Sequence, residues 1–416
     1  MKKVLILAFL FRLIIAPLSY HEDSIVFLNW GKNLETFGFL GFYERDTPDA
    51  GPPNYPPGFY YVLAANQWGY RLVKNVLWEI NLGVPLFPSG FYLWFESDLG
   101  RIFFNKLPII FADLATGFLI YKFIGFLKNK KTAIFAAALF LFSPPIWYLS
   151  ALWGQNESLF ALPLLASFYA VYRKKIPLAA VLYTASFLIK PTVVLVSPVF
   201  LLYWVKENKL KDLLKGILLA ALFFYMTHLP FNLENTFSWI FELYRYGIRE
   251  ILGYLVANAF NFWSLIFGFE PRADTTLFLG LPAYIWGIGV YGVVMWYLLI
   301  NLIKNRQIKK YLLAAAIISF VGFFFLPRIH ERYFYFVLIF LASLAGMERK
   351  FRKIFFLTST VFFLNLYHYW WVPQIDLAIK ILSTRTVEQG LTIINLMALI
   401  WLINDFRKDN IKKTVL

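Results

Sequence analysis

The sequence has no cysteine and few charged residues. Cysteine is absent from all 416 residues, which excludes thiol nucleophiles and disulfide bonds but fixes no redox compartment, because a chain embedded in lipid needs no disulfides. Charged residues make up 15% of the chain and hydrophobic residues 60%, whereas soluble domains carry about a quarter charged residues. Recurrent apolar runs that can cross a hydrocarbon core therefore predict an all-α, polytopic integral membrane protein.

No repeat, low-complexity tract or linker separates a soluble part, so residues 1–416 are predicted to form a single membrane domain. The N-terminal segment resembles a secretory signal, but Arg12 interrupts its apolar stretch, and we interpret it as an uncleaved first span. We predict about 12 transmembrane helices, or roughly 11 to 13. They lie near 3–19, 106–124, 132–149, 158–172, 177–189, 191–205, 213–229, 280–303, 311–327, 333–347, 354–371 and 390–404.

Lys and Arg are distributed unevenly between the two sides of this arrangement. If the N-terminus is cytoplasmic, the segments on its side hold 25 Lys and Arg against 5 Asp and Glu, and the opposite side holds 14 against 18. The positive-inside rule predicts such a bias. The net charge of +16 therefore indicates orientation in an inner (plasma) membrane, with both termini cytoplasmic, and not nucleic-acid binding.

Two long loops fall on the outer side, at residues 20–105 and 230–279. Within the first, segments 23–38 and 57–81 are amphipathic, and we interpret them as helices on the membrane interface. If 57–81 were a span, every later basic loop would move to the outer side of the membrane, against the positive-inside rule.

Six polar clusters lie at the outer ends of the predicted spans. They are His21 to Asp23, Asn54 to Gly58, Trp153 to Glu157, Lys190 with Pro191, Asn258 to Trp263, and Arg328 to Tyr333. Their common side follows from the distribution of charge alone. We therefore expect the chemistry of the protein at the outer face.

Asp23 and Glu22 have both a structural and a catalytic interpretation. Asp is a common helix N-cap. Adjacent carboxylates at a membrane boundary also suit a general base, because an apolar setting raises the pKa of a carboxylate. The sequence requires no cofactor, and a divalent metal, Mg²⁺ or Mn²⁺, stays open.

Arg328, His330 and Arg332 lie within five residues of one another, which favours an anion site over simple anchoring to lipid headgroups. Arg side chains match phosphate oxygens bidentately, and His330 can donate a further hydrogen bond. Lys190 lies between two short spans, where a lysine either snorkels to the interface or neutralises an anion.

The remaining clusters are less specific. Gln155, Asn156 and Glu157 supply the donors and acceptors that sugar hydroxyls require. Tyr55 belongs to a turn that could shape a site, and Asn258, Asn261 and Trp263 fit either a binding surface or an interface anchor. Inside the spans, Arg12 and Asp113 predict a mutual ion pair and not a role in transport.

Taken together, the clusters resemble the GT-C glycosyltransferases that depend on polyprenyl-phosphate sugars, and most closely the prokaryotic mannosyltransferases related to the second GPI mannosyltransferase. The resemblance rests on HEDS at 21–24, NYPPG at 54–58, WGQNES at 153–158, KP at 190–191, NAFNFW at 258–263 and HERY at 330–333. The family often has Asp at the positions of Asn54 and Asn156, and Met at that of Ile329, so the sugar and any metal stay open.

This resemblance implies an inverting transfer of mannose or a similar hexose from a polyprenyl-phosphate donor. The acceptor would be a glycan, a lipid or a protein at the outer face of the membrane. Asp23 would be the general base, and the basic residues would bind the donor phosphate.

The alternative function is a transporter or flippase of a lipid-linked glycan. Such a protein should carry ionisable residues near the bilayer midplane on several helices, and here Arg12 and Asp113 are the main examples. The crowding of polar clusters at one face favours an enzyme.

Overall fold

The computed structural model describes residues 1–206, 208–249 and 253–414. Residues 207, 250–252 and 415–416, which belong to two predicted loops and to the C-terminal tail, lie outside the described residues. The described chain is helical apart from loops and one short antiparallel hairpin, in which β1 (Leu277–Phe278) pairs with β2 (Leu281–Pro282). The all-α class predicted from the sequence is confirmed.

The α-helices follow one another with short connections. In chain order they are α1 (Lys2–Ile15), α2 (Glu22–Phe37), α3 (Pro57–Gly83), α4 (Ser89–Glu96), α5 (Asp98–Leu127), α6 (Lys130–Leu141), α7 (Pro144–Trp147), α8 (Glu157–Tyr172), α9 (Ile176–Ile189), α10 (Ser197–Val205), α11 (Leu210–His228), α12 (Thr236–Arg249), α13 (Phe262–Phe267), α14 (Ala283–Ile303), α15 (Ile308–Phe325), α16 (Tyr335–Met347), α17 (Lys350–Tyr369), α18 (Asp376–Leu382) and α19 (Arg385–Thr414). One π-helical segment, Tyr148–Trp153, continues α7. Short 3₁₀ turns occur at Ala16–Leu18, Phe42–Glu44, Pro191–Val196, Leu229–Phe231 and Glu331–Phe334.

Several of these helices are long and apolar enough to cross a membrane. Among the described residues they are α5, α11 with its following turn, α14, α15 and most of α19. Two bent pairs add at most two more: α1 with α2, at 93°, and α6 with α7 and its π-helical continuation, at 53°. The chain is therefore a membrane protein. The figure of twelve spans stays a prediction, because α8, α9 and the segment Pro191–Val205 are shorter apolar helices of 10–17 residues.

The first predicted outer loop is largely helical, as its amphipathic pattern indicates. Helices α2 and α3 cover nearly the segments 23–38 and 57–81, and α3 is not among the helices that could span. The two pack together through a cluster of buried aromatic side chains that includes Trp30 and Tyr60. An ion pair of 3.1 Å between Arg71 and Glu35 adds a polar contact between them.

The centre of the bundle is formed by α15 and α16. Every residue from 335 to 346 of α16 is buried, and so is every residue from 310 to 324 of α15. Both helices are apolar on all sides, as expected of helices surrounded by protein and lipid. Polar chemistry is therefore confined to their ends, and the segment 326–334 that connects them carries the predicted HERY motif.

Arg12 of α1 and Asp113 of α5 form an ion pair inside the bundle, as the sequence predicts. Arg12 Nε lies 3.2 Å from Asp113 Oδ2, and both side chains are 0% exposed. The guanidinium also donates to the backbone oxygens of Leu141, at 2.8 Å, and Ala8, at 3.2 Å. Tyr335 donates to the other oxygen of Asp113 at 2.7 Å. The pair thus joins α1, α5 and α16.

We expect Asp113→Asn to destabilise the protein strongly, because it leaves the Arg12 guanidinium buried without a counter-charge. Breaking a buried ion pair costs about 3–5 kcal/mol. The matched control is Lys74→Gln, which removes a partly exposed pair with Glu96 and should cost about 0–1 kcal/mol. Unfolding of both variants in detergent gives the comparison, and equal losses would show that the buried pair has no special role.

Candidate functional site

The segments that carry the six predicted clusters meet at one end of the bundle. The start of α2 contacts the turn before α8, since Ser24 Oγ donates to the backbone oxygen of Trp153 at 2.8 Å. Lys190 follows α9 and reaches Glu157 at the start of α8. Arg332, in the segment between α15 and α16, lies 3.7 Å from the same glutamate. Chain segments far apart in sequence thus converge on one polar site.

The WGQ turn at 153–155 requires glycine at its centre. Gly154 has a φ of +90°, which residues with a side chain rarely adopt. A Cβ atom there would also lie 2.4 Å from Ser24 Oγ. The glycine therefore permits the close approach that brings Trp153 and Gln155 to Asp23.

Asp23 is the carboxylate at the centre of these contacts. Its Oδ2 accepts a hydrogen bond from Gln155 Nε2 and lies 3.5 Å from Trp153 Nε1. His21, which stacks on the Trp153 ring at 4.6 Å, places Nδ1 3.3 Å from the same oxygen. Among the described residues no hydrogen bond reaches Oδ1, and the Asp23 side chain is 34% exposed. One carboxylate oxygen is therefore held while the other is open.

Helix capping is performed by His21 and not by Asp23. His21 is the N-cap of α2, and its Nδ1 lies 3.2 Å from the backbone nitrogen of Asp23. The same nitrogen atom cannot accept from that amide and donate to the Asp23 carboxylate at once. A proton on Nδ1 therefore shifts His21 from capping the helix to binding the carboxylate.

The pKa of Asp23 is lowered to about 2. Burial alone would raise it, but a hydrogen bond from His21 and the positive charge of Arg332 outweigh burial. The expectation that the apolar setting would raise the pKa of this carboxylate is therefore wrong. Asp23 is ionised at neutral pH and stays so until the pH approaches 2.

Glu157, Glu331, Lys190 and Arg332 form a second group, which we call the charge tetrad. Lys190 donates to Glu157 Oε1, and Arg332 Nε lies 3.7 Å from that atom. Arg332 NH1 lies 3.1 Å from Glu331 Oε1. Both glutamates are 0% exposed, so removing any one charge leaves another buried without compensation.

The pKa values around the tetrad follow from burial and from its charges. Burial would lower the pKa of Arg332, but Glu331 and Glu157 raise it. Burial, together with the charges of Arg332 and Lys190, lowers the pKa of His330 to about 2. His330 is therefore neutral at pH 7, and it can act on an anion through a hydrogen bond but not through a charge.

Several buried polar atoms beside Asp23 have no hydrogen-bond partner among the described residues. They are Gln155 Oε1, both polar side-chain atoms of Asn156, Glu157 Oε2, Glu331 Oε2 and Arg332 Nε. Buried polar atoms are nearly always paired, because an unpaired one costs about 1–3 kcal/mol. Their concentration in one place indicates a site for a ligand with several hydroxyl or phosphate groups.

Other predicted site residues serve the backbone around the site. Asn261 caps α13 in a capping box with Ser264, and Trp263 Nε1 donates to the Phe325 oxygen at 2.6 Å. Asn258 forms a backbone bridge with His330 and has a φ of +59°. The NAFNFW segment therefore supports the HERY segment from behind, and its contact with a ligand stays a prediction.

The last three predicted residues differ in how close they lie to the tetrad. Tyr55 is partly buried and lies within electrostatic range of Arg332. Glu22 is exposed. Arg328 pairs with Asp274, with distances of 2.6 Å from Nε and 2.5 Å from NH2 to Oδ2. A role of Arg328 at a donor phosphate stays a prediction, and this ion pair argues against it.

Metal binding has no clear set of ligands here. Within the described parts of the chain, no three His, Cys, Asp or Glu side chains converge so as to hold an ion. The dependence on Mg²⁺ or Mn²⁺ stays open.

Lys106 is a site residue that sequence analysis missed. It lies within α5, and its Nζ donates to the backbone oxygens of Ala16, at 2.8 Å, Ala151, at 2.9 Å, and Leu152, at 2.8 Å, and to that of Ser19. Ala16 and Ser19 lie in the segment that leads to Asp23, and Ala151 and Leu152 lie in the segment that leads to Trp153. The lysine thus joins the two backbone segments that carry the carboxylate and its partners. Backbone carbonyls leave no trace in the sequence, so only a lysine at the edge of an apolar span could have signalled this role.

We expect Lys106→Met to destabilise the protein by about 3 kcal/mol, since hydrogen bonds to charged groups contribute about 1.5–3 kcal/mol each and the carbonyls would lose their shared donor. Lys32→Met is the matched control, because Lys32 is partly exposed and forms a 3.6 Å pair with exposed Asp98. Unfolding in detergent measures the loss of stability, and tryptophan fluorescence reports a change in the surroundings of Trp153. An equally small loss for both variants would contradict a role of Lys106 in joining the segments.

Comparisons with known proteins find a curated glycosyltransferase that is similar to part of this chain. No family model matches the sequence. A curated protein of Arabidopsis thaliana, Dol-P-Man:Man(5)GlcNAc(2)-PP-Dol alpha-1,3-mannosyltransferase, is 27% identical over 271 residues, which are 64% of this chain and 51% of that protein. The chain thus spans about half the length of the curated relative. A crystal structure of an Archaeoglobus fulgidus oligosaccharyltransferase in the apo form overlaps 98% of this chain and 55% of that chain, with 12% identity and a TM-score of 0.42, too loosely to carry an argument. The curated relative confirms the resemblance to polyprenyl-phosphate-sugar-dependent glycosyltransferases that the sequence motifs indicate.

Proposed function

We propose that the protein is a membrane glycosyltransferase that moves one sugar, mannose or a similar hexose, from a polyprenyl-phosphate-linked donor to a glycan, lipid or protein acceptor. The transfer would invert the anomeric carbon and take place on the outer face of the inner (plasma) membrane, with both chain termini cytoplasmic. The distribution of Lys and Arg along the chain supports this orientation. The alternative of a transporter or flippase gains no support from the curated relative.

One observation carries this proposal: an ionised carboxylate with an open oxygen lies beside one buried cation, one mostly buried cation and a set of unpaired polar atoms. The carboxylate is Asp23, the cations are Lys190 and Arg332, and the unpaired atoms belong mainly to residues 155–157. A sugar needs many hydrogen-bond partners, and its phosphate needs cations. The site supplies both at the end of an apolar bundle, where a prenyl tail can lie in lipid.

Each part has a role in an inverting displacement. Asp23 Oδ1 accepts the proton of the acceptor hydroxyl group while the hydroxyl oxygen attacks the anomeric carbon. The bond from this carbon to the phosphate oxygen breaks, and its electron pair leaves with the prenyl phosphate. Arg332 and Lys190 stabilise the charge that develops on that phosphate. Gln155, Trp153 and His21 hold Asp23 Oδ2 and so fix the direction of the open oxygen.

We expect Asp23→Asn to reduce turnover by roughly 100-fold or more, the scale of general-base loss. Folding should change little, because His21 and not Asp23 caps α2. The assay incubates purified protein in detergent with polyprenyl-phosphate mannose and other polyprenyl-phosphate hexoses, and follows sugar consumption by mass spectrometry. The exposed neighbour provides the comparison: Glu22→Gln should have little effect, and an equal loss would mean that both carboxylates act together. Near-normal turnover by Asp23→Asn would refute its assignment.

We expect Arg332→Lys to weaken donor binding and Arg332→Ala to weaken it further, by about 2–4 kcal/mol. Lysine keeps the charge but loses the planar fork that matches a phosphate. Arg101→Lys and Arg101→Ala are matched controls, because Arg101 lies over the Tyr70 ring, away from the tetrad. The measurement is donor affinity, or apparent KM, at fixed acceptor concentration. If Arg332 variants and wild type bind the donor alike, Lys190 becomes the candidate phosphate ligand.

A further inference from the structure

The charge tetrad is electrically balanced before any donor arrives. Lys190 and Arg332 contribute two positive charges, and Glu157 and Glu331 contribute two negative charges. Both glutamates are fully buried. The cations that would bind a phosphate are therefore already matched by carboxylates.

Glu157 contacts both cations that would bind a donor phosphate. Its Oε1 accepts from Lys190 and lies 3.7 Å from Arg332 Nε, so one oxygen lies between both cations. The donor is a phosphodiester with a single negative charge. Its arrival would put a third negative charge next to two buried carboxylates, which is unfavourable where water cannot screen the repulsion.

Protonation of a carboxylate relieves this repulsion. The second oxygens of Glu157 and Glu331 have no hydrogen-bond partner among the described residues. A protonated carboxyl group becomes a hydrogen-bond donor, so one of these oxygens could then bind the phosphate that it would otherwise repel. The same proton restores charge balance.

We propose that donor binding is coupled to the uptake of one proton by the carboxylate pair Glu157 and Glu331, an inference that rests on the proposed function. Glu157 is then an internal counter-ion, which the donor phosphate displaces from Lys190 and Arg332. The proton comes from solvent and returns to solvent when the prenyl phosphate leaves.

The groups facing this pair leave few other places for the proton. Asp23 and the neutral His330 both interact electrostatically with Arg332 of the tetrad. The phenols of Tyr55 and Tyr254 also face it and keep their protons at neutral pH. The phenols of Tyr333, Tyr335 and Tyr369 interact electrostatically with members of the pair. Burial raises the pKa of Glu331, against the lowering by Arg332. Burial lowers the pKa of Lys190, and Glu157 acts against it.

The test is calorimetric titration of the purified protein with a short-chain polyprenyl-phosphate mannose, at one pH in buffers of different ionisation enthalpy. The dependence of the observed heat on the buffer gives the number of protons taken up. We expect about one for the wild type, and a donor affinity that falls roughly tenfold per pH unit between pH 7 and 9, as linkage requires. Uptake near zero, with affinity independent of pH, would overturn the proposal.

Isosteric variants locate the proton. Glu157→Gln and Glu331→Gln keep shape but remove a titrating group, so at least one should lose most of the uptake and bind the donor as well at pH 9 as at pH 7. Glu348→Gln is the matched control at the opposite end of α16, where Glu348 pairs with Lys309, and it should keep the wild-type uptake. If neither site variant folds, the wild-type proton count decides alone.

The same titration separates this inference from the proposed function. Wild-type protein that binds and turns over the donor without proton uptake retains the glycosyltransferase function and loses the coupling. Wild-type protein that binds no polyprenyl-phosphate sugar at any pH loses both.

Discussion

The contact of Glu157 Oε1 with Lys190 and Arg332 is the interaction on which the rest of the site depends. It joins the start of α8 to the end of α9 and to the segment between α15 and α16. Because these charges are buried, the pair energies are not screened by water, and each charge needs its partners to stay ionised. The same constraint places Arg332 near Asp23 and keeps that carboxylate ionised. Structure and chemistry at this end of the bundle therefore share one set of charges.

The bundle confines such charges to its ends and to a few satisfied positions. Helices α15 and α16 are almost entirely apolar along their buried length, apart from Lys310 at the start of α15 and two serines, and the polar site lies at the segment that connects them. Arg12 and Asp113 are the exception within α1 and α5, and they are satisfied by each other, by Tyr335 and by backbone oxygens. Lys106 is satisfied by carbonyls alone. Each of these buried charges thus either joins helices or marks the site.

The sequence predicts the location of the site better than the contacts within it. The distribution of Lys and Arg placed six clusters on one side, and the structure brings them to one end. The pairing of Arg12 with Asp113 could also be predicted, because two lone charges inside apolar spans need each other. Contacts with backbone atoms could not: the carbonyls around Lys106 have no sequence signature. The pairing of Arg328 with Asp274 joins residues whose proximity depends on the loop between α13 and α14.

The low pKa of Asp23 constrains how it can act as a base. A base with a pKa of about 2 takes a proton readily only when the hydroxyl has already become acidic, or when its own surroundings change. The largest influence on this carboxylate is burial, which raises the pKa, and the hydrogen bond from His21 is the first that opposes it. An acceptor that excludes water from the carboxylate would increase the effect of burial and strengthen the base. Because His21 lies between the helix amide and the carboxylate, the same nitrogen atom either caps α2 or binds Asp23, and the basicity of Asp23 depends on which of the two it does.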